Sequence, residues 1–573
     1  MKHELGIRYL GNREQARKQI TRRIVNTCRR ILLALREEPL PEQFRLPLLP
    51  NGKKPGCDVI GGENSSRTIL STGQAAENIG CRVRCINPAT LSLTKGESWW
   101  ETVQTFAEQG TQIIAIRSGH EGLMVHLAMM QETVKPGRLT DPSLCFINCG
   151  EGTREHPTQY EQDVATIFLR HLGARWLDQN DREILERAFS RPSAQEQLEQ
   201  EAAEVLDNAT FAFVGGLRES RVAHSHINGG RWFDTKFIFI APSQPIDFQV
   251  EPWCLDLLGE RADVSHRLED ALEADYVYAI RLQVERLPKS IQEQQAEVRA
   301  LVRPYMIGRE FLEKCRGEVL DAKPYDEGTP TIQPEAREHL KVIAKLQSGV
   351  GLYNREEAIF ECFNNRHEPL EPIFEIPEIS FAPGVDIIST MKLSDKRREL
   401  TERYSEREDE PLSIVVIDGV VINAIQVGRS DWLETINEKS GWGREMPMVI
   451  GKRFPSESLG KKNQLGYPKA RIEAQQAGIW RLADSGIRLH LMYPELEKNG
   501  GNGHMKVIPP YPKAVAGVFK CPRGDKCFSN AVNNPLVQSF SWIIPSKSEV
   551  WMECGYCQFH YPAEVVATYT FGH

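Results

Sequence analysis

Apolar runs and helical stripes alternate along the first third of the chain. Three short apolar runs predict buried strands, and amphipathic segments, most of them ended by a glycine, predict the helices between them. We expect strands at residues 83–86, 113–117 and 144–148, and helices at 68–79, 98–109, 121–131 and 157–172. This alternation is typical of a parallel sheet with helices on both faces, which is a doubly wound α/β domain.

The Arg-rich segment 15–35 carries apolar side chains at helical spacing. They would line one face of a helix: Ile20, Ile24, Cys28, Leu32 and Leu35. One interpretation is a mitochondrial presequence, which is amphipathic, basic and poor in acidic residues. The other is a first helix that packs on the domain. Glu14 and Glu37 flank the segment, and these acidic residues favour the packed helix.

A second series of strands follows, around residues 211–214, 236–241 and 275–280, and predicts a second α/β domain. Gly215 and Gly216 follow its first strand. The GxGxxG pattern of a dinucleotide site is absent, however, so we interpret this pair as a tight turn. Between the two series, residues 178–207 are polar and rich in Glu and Gln, and we expect an inserted connecting helix there.

The last third of the chain changes character. Residues 395–410 form a dense run of mixed charge, which we interpret as a solvated linker helix. Residues 412–423 form two short β-rich runs around a turn at Gly419. Four of the thirteen cysteines cluster beyond them, in the pairs Cys521-x5-Cys527 and Cys554-x2-Cys557.

Two motifs of the first domain are suited to holding an anion. The first is Ser65-Ser66-Arg67-Thr68, which stands where a helix begins. Hydroxyls, free backbone N–H groups and a guanidinium can converge there on a phosphate.

The second motif is His156-Pro157-Thr158-Gln159. Pro157 suits the first turn of a helix, so His156 should lie at the edge of the sheet and Gln159 one turn further on. His156 could then donate a hydrogen bond to a carbonyl beside the phosphate. Ligands of open α/β sheets bind beyond the carboxyl ends of the strands, where Arg117 is also expected.

These motifs resemble those with which the aspartate carbamoyltransferase family holds carbamoyl phosphate. The resemblance covers roughly residues 15–365 and includes further pieces in family order: Lys95-Gly96-Glu97, Ile116-Arg117, Ser220-Arg221-Val222-Ala223-His224-Ser225, Arg281-Leu282-Gln283 and Gly351-Leu352-Tyr353-Asn354-Arg355. It implies an enzyme that transfers the carbamoyl group of carbamoyl phosphate to L-aspartate, giving N-carbamoyl-L-aspartate and phosphate, a step of pyrimidine biosynthesis.

The resemblance also implies a role for each matching residue. By the group that each would serve, they are Ser65, Ser66, Arg67 and Thr68 for the phosphate; Thr68, Arg117 and His156 for the carbonyl; Gln159 for the carbamoyl nitrogen; and Arg221, Arg281 and Gln283 for the two carboxylates of aspartate. Guanidinium groups suit carboxylates because they bind them through two parallel hydrogen bonds. Such a site works by positioning and electrostatics, without a metal or a covalent intermediate at the reaction centre.

Two further pairs of residues match family positions outside this pocket. Glu63 and Arg286 would tie the two domains together in a closed state. Ser92 and Lys95 match a loop that reaches into the active site of a neighbouring subunit, so the smallest active unit would be a trimer. His224 and His226 we interpret as structural histidines.

Three departures from the family pattern leave the acceptor open. The family's His-Pro-Leu-Pro segment is replaced by Leu320-Asp321-Ala322-Lys323-Pro324-Tyr325, Ile69 replaces a second arginine, and the loop serine stands one residue nearer Lys95. In order of preference, the chain is an aspartate carbamoyltransferase with a rebuilt loop, a carbamoyltransferase for another amine, or a catalytically silent homologue that serves as a scaffold or allosteric partner. The segment expected of an ornithine enzyme is absent as well.

Residues 412–508 resemble the regulatory chain that accompanies the catalytic chain in some organisms, so the protein looks like a natural fusion of the two. Lys506 suits a triphosphate, and the resemblance implies an allosteric site for CTP and ATP. At that site Asn423, Ala424 and Gly466 replace an aspartate, a histidine and a lysine. Because each charge-assisted hydrogen bond contributes about 1.5–3 kcal/mol, we expect weak nucleotide binding and a domain that mainly joins catalytic trimers.

The two cysteine pairs have the spacing of a zinc site. Tetrahedral zinc takes four thiolates from two such knuckles, so we expect one structural zinc ion per chain at Cys521, Cys527, Cys554 and Cys557. Disulfides and a nucleic-acid-binding zinc ribbon are the alternatives, and the balanced charge after His504 disfavours the ribbon. His560 is a less favoured fourth ligand. The nine other cysteines show no pairing pattern and should be reduced, mostly buried thiols.

Composition agrees with this interpretation. A chain of 573 residues with 40% hydrophobic and 26% charged residues is typical of a globular protein of about four domains. Its net charge of −8 argues against a nucleic-acid or anionic-membrane partner. No apolar run reaches the roughly 18 residues of a membrane span, and the first residues lack a signal-peptide core. We therefore expect a cytoplasmic protein, and the resemblance implies a homo-oligomer, either a trimer or a pair of trimers.

The expected fold class is α/β: two doubly wound parallel-sheet domains of the carbamoyltransferase fold, then a small α+β regulatory-like domain and a zinc ribbon. The expected boundaries are 1–173 for the carbamoyl-phosphate domain, 174–208 for the inserted segment, 209–334 for the aspartate domain, 335–370 for helices that return to the first domain, 371–411 for the linker, 412–508 for the regulatory-like domain and 509–573 for the zinc domain.

Overall fold

The computed structural model divides the chain into two compact units, residues 1–373 and 374–573. In the first unit it describes residues 3–7, 10, 12–63, 66–133, 144–244, 246–286, 292–293, 295–322 and 330–368. In the second unit it describes residues 386–392, 395, 422–427, 448–456, 460–468, 478–479, 481–482, 488–492, 497–517, 519–531, 539–545 and 550–571.

The first sheet has four parallel strands in the order β2-β1-β3-β4. They are β1 (Gly56–Gly61), β2 (Arg82–Ile86), β3 (Ile113–Ser118) and β4 (Cys145–Glu151). The helices beside them are α2 (Ser66–Asn78), α3 (Trp99–Glu108), α4 (Leu123–Thr133) and α5 (Pro157–Leu172). The predicted helices and strands of this region are confirmed, with ends that shift by a few residues.

Strand β1 is the element of this sheet that the hydrophobic pattern did not predict. Its run is short, begins and ends with glycine, and carries Asp58 in the middle. Asp58 is nonetheless buried, because Arg84 of β2 binds its carboxylate through two hydrogen bonds of 2.6 and 2.7 Å. A polar residue in a central strand is thus paired across the sheet, which a sequence pattern does not reveal.

The second sheet has five parallel strands in the order β7-β6-β5-β8-β9. They are β5 (Thr210–Gly215), β6 (Lys236–Ile240), β7 (Ala262–Ser265), β8 (Tyr276–Ile280) and β9 (Glu318–Asp321). The helices of this region are α8 (Arg221–Gly230), α9 (Pro252–Leu258), α10 (Gln295–Val302) and α11 (Arg309–Lys314). Successive residues of a strand point to opposite faces, so Phe211 and Phe213 enter one core while Ala212 and Val214 enter another.

Four more helices form a common core: α1 (Arg13–Leu35), α6 (Gln179–Phe189), α7 (Ala194–Asn208) and α12 (Ala344–Asn364). The predicted apolar face of α1 packs in this core, with Leu35 partly buried and the other four side chains buried, which confirms the packed-helix interpretation. The segment expected to form one connecting helix forms two, α6 and α7. Their few apolar residues, such as Leu185 and Leu198, are enough to bury a narrow stripe against α1.

The second unit contains two antiparallel sheets. The larger has the order β10-β15-β14-β11-β13-β12, with strands β10 (Asp386–Met391), β11 (Ile422–Val427), β12 (Met448–Ser456), β13 (Gly460–Pro468), β14 (Arg488–Met492) and β15 (His504–Ile508). The charged run expected at 395–410 lies outside the described residues except for residue 395, and the β-rich segment 412–423 is described only from residue 422 onward. Strand β10 lies within the linker expected at 371–411 and pairs with β15, so the larger sheet of the second unit begins before the expected boundary at 412.

The smaller sheet has the order β16-β17-β18-β19. Its elements are β16 (Ala514–Ala516), α13 (Phe528–Ala531), β17 (Phe540–Pro545), β18 (Val550–Cys554), β19 (His560–Pro562) and α14 (Ala563–Phe571). Among the helices of the described ranges, none is both long and apolar enough to cross a membrane.

Candidate active site

Three side chains predicted for the site converge on Gly150, near the end of β4. A Cβ atom at Gly150 would lie 3.2 Å from Nη1 of Arg117, 3.3 Å from Cδ2 of His156 and 3.4 Å from Cζ of Arg221. The backbone of Gly150 has a φ of 109°, which side chains other than glycine rarely adopt. Glycine therefore leaves the space in which two residues beside the first sheet meet one from the second.

Arg117 lies on β3 and is buried. Its Nη1 donates a hydrogen bond of 3.2 Å to the carbonyl of Cys149, and its Nε lies 3.6 Å from Oε2 of Glu63. Burial lowers the pKa of Arg117 to about 10, although the Glu63 carboxylate opposes the shift. The guanidinium therefore remains charged at neutral pH and can stabilise negative charge.

His156 is the residue before α5 and is also buried. Its backbone N–H donates a 2.8 Å hydrogen bond to Oγ of Ser225 on α8, and its Nδ1 lies 3.3 Å from Oγ1 of Thr158. Burial lowers the pKa of His156 well below its ordinary value, and the positive charge of Arg117 adds to this effect. A neutral imidazole with one N–H donor is therefore the form present at neutral pH.

Glu63 joins the two sheets. This residue follows β1, and its Oε2 accepts a 2.6 Å hydrogen bond from Nη1 of Arg221 at the start of α8. Its Oε1 lies 3.5 Å from Nη2 of Arg286, beyond the end of β8. Arg221 donates a second hydrogen bond of 2.9 Å to the carbonyl of Gly152. The pair predicted for domain closure is thus in contact, together with a predicted aspartate-binding residue.

Arg281 and Gln283 follow the carboxyl end of β8 and are half-buried. Nε2 of Gln283 donates a 3.2 Å hydrogen bond to the carbonyl of Glu219, which also accepts one of 3.1 Å from Nη1 of Arg286. Nη1 of Arg281 donates to the carbonyl of Leu282. The predicted aspartate-binding residues therefore come from two neighbouring loops of the second sheet.

The phosphate motif lies at the start of α2. Thr68 is buried, and its carbonyl accepts a 2.6 Å hydrogen bond from the hydroxyl of Thr72. Arg67 is exposed, with its Nη2 3.5 Å from the carbonyl of Ala322. Ser65 lies outside the described residues, and Ser66 is described only as the first residue of the helix.

Ser92 and Lys95 are exposed at the two ends of a short 3₁₀ helix. Within the described part of the chain, neither makes a hydrogen bond or an ion pair with the cluster around Gly150. A single chain therefore does not bring these two predicted residues into the site.

Gln159 is hydrogen-bonded to a buried cluster of polar side chains that the motifs did not predict. Its Nε2 donates a 2.8 Å hydrogen bond to Oδ1 of Asp163, one helical turn along α5. Asp163 is completely buried. The spacing of four residues places both side chains on one helix face, so this contact was open to prediction from the sequence. The other partners of Asp163 come from distant elements and were not.

Arg355 on α12 is a second residue beside the pocket whose role the sequence does not indicate. It is buried, and its Nη1 donates to the carbonyl of Gly351 at 2.6 Å and to Oε1 of Gln162 at 3.1 Å. Its charge contributes to the lowered pKa of His156. The Gly-Leu-Tyr-Asn-Arg motif is visible in the sequence, but its place beside the pocket depends on how α12 packs.

The four clustered cysteines of the second unit come together. Their Sγ atoms all lie within 4.8 Å of one another and all four residues are buried. Cys521 and Cys557 are 3.5 Å apart, and Cys527 and Cys554 are 3.7 Å apart. Four thiolates about 2.3 Å from a zinc ion would stand about 3.8 Å apart, so this set fits tetrahedral zinc.

His560 is not part of that group. Its Nε2 lies 3.1 Å from Oε2 of Glu553, the residue directly opposite it on the neighbouring strand. Eight of the nine other cysteines are buried and Cys85 is exposed, and all nine are free thiols, as expected.

The positions predicted for a nucleotide site fall in one row across the larger sheet of the second unit. Lys506 on β15 pairs with His490 on β14, which pairs with Ala424 on β11, which pairs with Gly466 on β13. Directly paired residues of antiparallel strands lie on the same face of a sheet. The two substituted positions are therefore in register with Lys506.

Residues 59–168 match the family described as the aspartate/ornithine carbamoyltransferase, carbamoyl-P binding domain. This segment contains β1 to β4 except for the first residues of β1, together with Arg67, Arg117, His156 and Gln159. The cluster around Gly150 thus lies largely within the matched domain.

The chain is also similar to curated aspartate carbamoyltransferase catalytic subunits. It is 28% identical to that of Rhodopirellula baltica over 243 residues, which cover 42% of this chain and 59% of the relative. It is 25% identical to that of Ehrlichia canis over 293 residues, which cover 51% of this chain and 78% of the relative. The chain thus spans about three fifths of the length of the first of these relatives.

Among solved structures, the chain is similar to the catalytic subunit of M. jannaschii aspartate transcarbamoylase, with a TM-score of 0.47, 21% identity, and coverage of 64% of this chain and 100% of that one. A structure of the Trypanosoma cruzi aspartate transcarbamoylase, in complex with carbamoyl phosphate and aspartate, gives a TM-score of 0.46 and 18% identity and covers 63% of this chain and 94% of that one. Residues 59–168 are thus similar to the carbamoyl-P binding domain of the aspartate/ornithine carbamoyltransferase family.

Proposed function

We propose that the protein transfers the carbamoyl group of carbamoyl phosphate to the amine of L-aspartate. The products are N-carbamoyl-L-aspartate and phosphate. The observation that carries this proposal is the convergence of Arg117, His156 and Arg221 on Gly150, near the carboxyl ends of the strands in the segment that matches the carbamoyl-P binding domain. The curated relatives are catalytic subunits of this activity.

In this reaction the amine nitrogen attacks the carbonyl carbon of carbamoyl phosphate. A C–N bond forms, and the bond between the carbonyl carbon and the oxygen that bridges to phosphorus breaks. Phosphate leaves with the electron pair of that bond, and the amine gives up a proton. Negative charge grows on the carbonyl oxygen in between. The charged Arg117 and the neutral His156 are donors suited to that oxygen, and removal of one such donor typically costs about 2.7–4 kcal/mol.

The start of α2 supplies the phosphate site in this proposal. Ser65, Ser66, Arg67 and Thr68 would bind the phosphate, because a helix N-terminus with hydroxyls and a guanidinium attracts an anion. Gln159 would hold the carbamoyl nitrogen through its side-chain oxygen.

The aspartate site would be formed by Arg221, Arg281 and Gln283. Its two guanidinium groups match the two carboxylates of aspartate. The contact of Glu63 with Arg221 and Arg286 would hold the two sheets in the arrangement that brings both substrates together. A guanidinium group has five N–H donors in a fixed geometry, so Arg221 can bind Glu63 and a substrate carboxylate at the same time.

A carbamoyltransferase for another amine is the alternative, since the loop after β9 departs from the family pattern. Residues 323–325 of that loop lie outside the described residues. Asp321 at its start is buried and accepts a hydrogen bond from the hydroxyl of Thr331. This buried carboxylate stands where the family has no acidic residue.

A transfer assay with radiolabelled carbamoyl phosphate and a panel of amino acids tests both possibilities. L-Aspartate should be the best acceptor. Arg67→Ala and His156→Ala should each reduce kcat by at least about a hundredfold with the fold intact, since neither group supports the core. Arg267→Ala, an exposed arginine in a weak surface pair with Glu269, is the control and should keep full activity.

The outcomes separate the alternatives. Transfer to another amine alone would replace aspartate as the acceptor and keep the rest of the proposal. A chain that transfers to none of the amines would support the silent homologue instead. Unchanged kcat in Arg67→Ala or His156→Ala would remove the assigned pocket.

For the second unit we propose a regulatory-like domain at 412–508 and a zinc domain at 509–573. Cys521, Cys527, Cys554 and Cys557 would hold one zinc ion, with no open ligand position for catalysis. Such an ion would stabilise the fold of this domain. The wider proposal is a cytoplasmic oligomer of catalytic trimers, with CTP and ATP as weak allosteric ligands.

A further inference from the structure

Four side chains converge on the carboxylate of Asp163, in the middle of α5. They come from α5 itself, α8, β8 and α12: Gln159, His226, Tyr278 and Gln347. All of these residues are at least nine-tenths buried. The carboxylate thus connects helices beside the first sheet with a strand and a helix of the second.

The two oxygens of Asp163 receive different partners. Oδ1 accepts from Nε2 of Gln159 at 2.8 Å and from Nε2 of Gln347 at 2.7 Å. Oδ2 accepts from the hydroxyl of Tyr278 at 2.8 Å and lies 3.1 Å from Nε2 of His226. Each oxygen therefore has two partners, as the lone pairs of a carboxylate allow.

The orientation of Gln347 is fixed independently. Its Oε1 accepts a 3.1 Å hydrogen bond from the backbone N–H of Asp321, so its NH₂ group must face Asp163. The same NH₂ group lies 2.9 Å from the Tyr278 hydroxyl. Burial raises the pKa of Tyr278, and the negative charge of Asp163 adds to that shift. The phenol therefore stays protonated and donates a hydrogen bond to Asp163.

A glutamine amide can bind in two orientations that differ by exchange of its oxygen and its NH₂ group. Oδ1 of Asp163 accepts its hydrogen bonds from the NH₂ groups of both glutamines. Because Asp163 accepts from Gln159, the NH₂ group of Gln159 must point toward Asp163. Its oxygen must then point the other way.

We propose that Asp163 is a positioning residue, which turns the amide of Gln159 so that its oxygen faces the amine of the carbamoyl group. The inference rests on the proposed function, since it requires carbamoyl phosphate in the site. It extends that function by giving the pocket a means to recognise the NH₂ group of the donor. An acyl phosphate with a methyl group in that place would leave the Gln159 oxygen without a donor.

The test compares the dissociation constants of carbamoyl phosphate and acetyl phosphate, which has a methyl group in place of the amine. Calorimetric titration of the full chain gives the ratio of the two constants. The wild-type chain should prefer carbamoyl phosphate by about tenfold, as expected for one well-placed hydrogen bond. Gln159→Leu should abolish this preference.

The informative variant is Asp163→Leu combined with Tyr278→Phe. Replacing both partners by apolar groups of similar shape limits the cost of unpaired buried groups. The double variant should lose the preference to the same extent as Gln159→Leu. Tyr278→Phe alone is the matched control: it removes one hydrogen bond to Asp163, leaves the Gln159 contact, and should keep the preference. A merely structural Asp163 would weaken both ligands equally.

Asp163→Asn keeps the test decisive if the double variant does not fold. Since the NH₂ group of Gln347 is fixed, the new amide must turn its oxygen toward Gln347 and hence toward Gln159. The preference for carbamoyl phosphate should therefore survive in Asp163→Asn. Its loss there, or its survival in the folded double variant, overturns the inference. A wild-type chain that binds neither ligand contradicts the proposed function instead.

Discussion

His156 shows how much of the chemistry of a residue depends on its surroundings. The sequence places it before a helix, and the structure surrounds it with two arginines in a buried pocket. Its pKa falls because burial disfavours the charged imidazolium, and the positive charges of Arg117 and Arg221 add to this effect. The consequence is a histidine that donates a hydrogen bond without titrating near neutral pH.

The pH dependence of catalysis tests this state of His156. Because its pKa is lowered, the ring stays neutral as pH falls through 6.5, the ordinary pKa of histidine. We expect kcat/KM for carbamoyl phosphate to show no step near pH 6.5. The profile of His156→Gln should be lower but have the same shape. A step near 6.5 in the wild-type chain alone would show that the ring titrates normally.

The motifs predict most of the candidate residues of the pocket. The residues that they do not predict have one feature in common. The motifs Ser-Ser-Arg-Thr and His-Pro-Thr-Gln can be recognised in the sequence because several polar residues stand together at the start of a predicted helix. Gly150 and Asp163 lie outside the quoted motifs, and Arg355 lies in a motif to which no role was assigned. The importance of all three comes from residues far away in the chain. Such residues become visible only when the packing is known.

At the scale of elements, helix α5 was predicted with its exact ends because Pro157 and Gly173 mark them. Strand β1 was missed because its buried aspartate breaks the apolar pattern, and the segment 178–207 was given one helix where there are two. In both cases the local sequence pattern is weak and contacts with distant residues stabilise the element. Arg84 pairs with Asp58 of β1, and α1 packs against the two inserted helices.

The long first knuckle of the proposed zinc site is held by one side chain. Asn530 accepts a 3.1 Å hydrogen bond from the backbone N–H of Cys521. Its Nδ2 donates to the carbonyl of Cys521 at 2.7 Å and to that of Gly524 at 3.0 Å. Five residues separate the two cysteines of this knuckle, so Asn530 compensates for a loop longer than usual.

Removal of this support should weaken zinc binding. We expect elemental analysis to find one zinc ion per chain, and Asn530→Ala to release it to a chromophoric chelator at least about tenfold more readily, since partners around a metal site typically contribute 10- to 100-fold. Asn502→Ala is the matched control, because Asn502 is exposed and bonds only to Thr390 among the described residues. A freshly purified chain without zinc would contradict the site itself.

At the scale of the whole molecule, the two parallel sheets and the separate C-terminal unit follow from the sequence pattern. The relation between subunits does not. Lys95 and Ser92 are exposed on a short 3₁₀ helix, which leaves them available to a second copy of the chain. The trimer proposed above would place them in a neighbour's site.

Mixed trimers test whether Lys95 acts between chains. Lys95→Ala and Arg67→Ala should each be inactive alone. After dissociation and joint reassembly, roughly a quarter of the sites of a cyclic trimer would combine an intact Arg67 with an intact Lys95 from the neighbour. The mixture should regain activity accordingly. A mixture of Arg67→Ala and His156→Ala chains should stay inactive, and activity there would point to an artefact of reassembly.

The proposed nucleotide site would lie on the row of residues across the larger sheet of the second unit. The row contains a lysine at Lys506, whereas Ala424 and Gly466 in the same row have no polar side chain. The site therefore lacks a cation and a polar partner. Each charge-assisted hydrogen bond contributes about 1.5–3 kcal/mol, so nucleotide affinity should fall steeply.

We therefore expect CTP and ATP at physiological concentrations to leave the aspartate saturation curve almost unchanged. Titration of CTP against that curve is the measurement, with Lys506→Ala as its partner. A clear shift in half-saturation that Lys506→Ala removes would show a working site, and the second unit would then regulate the catalytic unit.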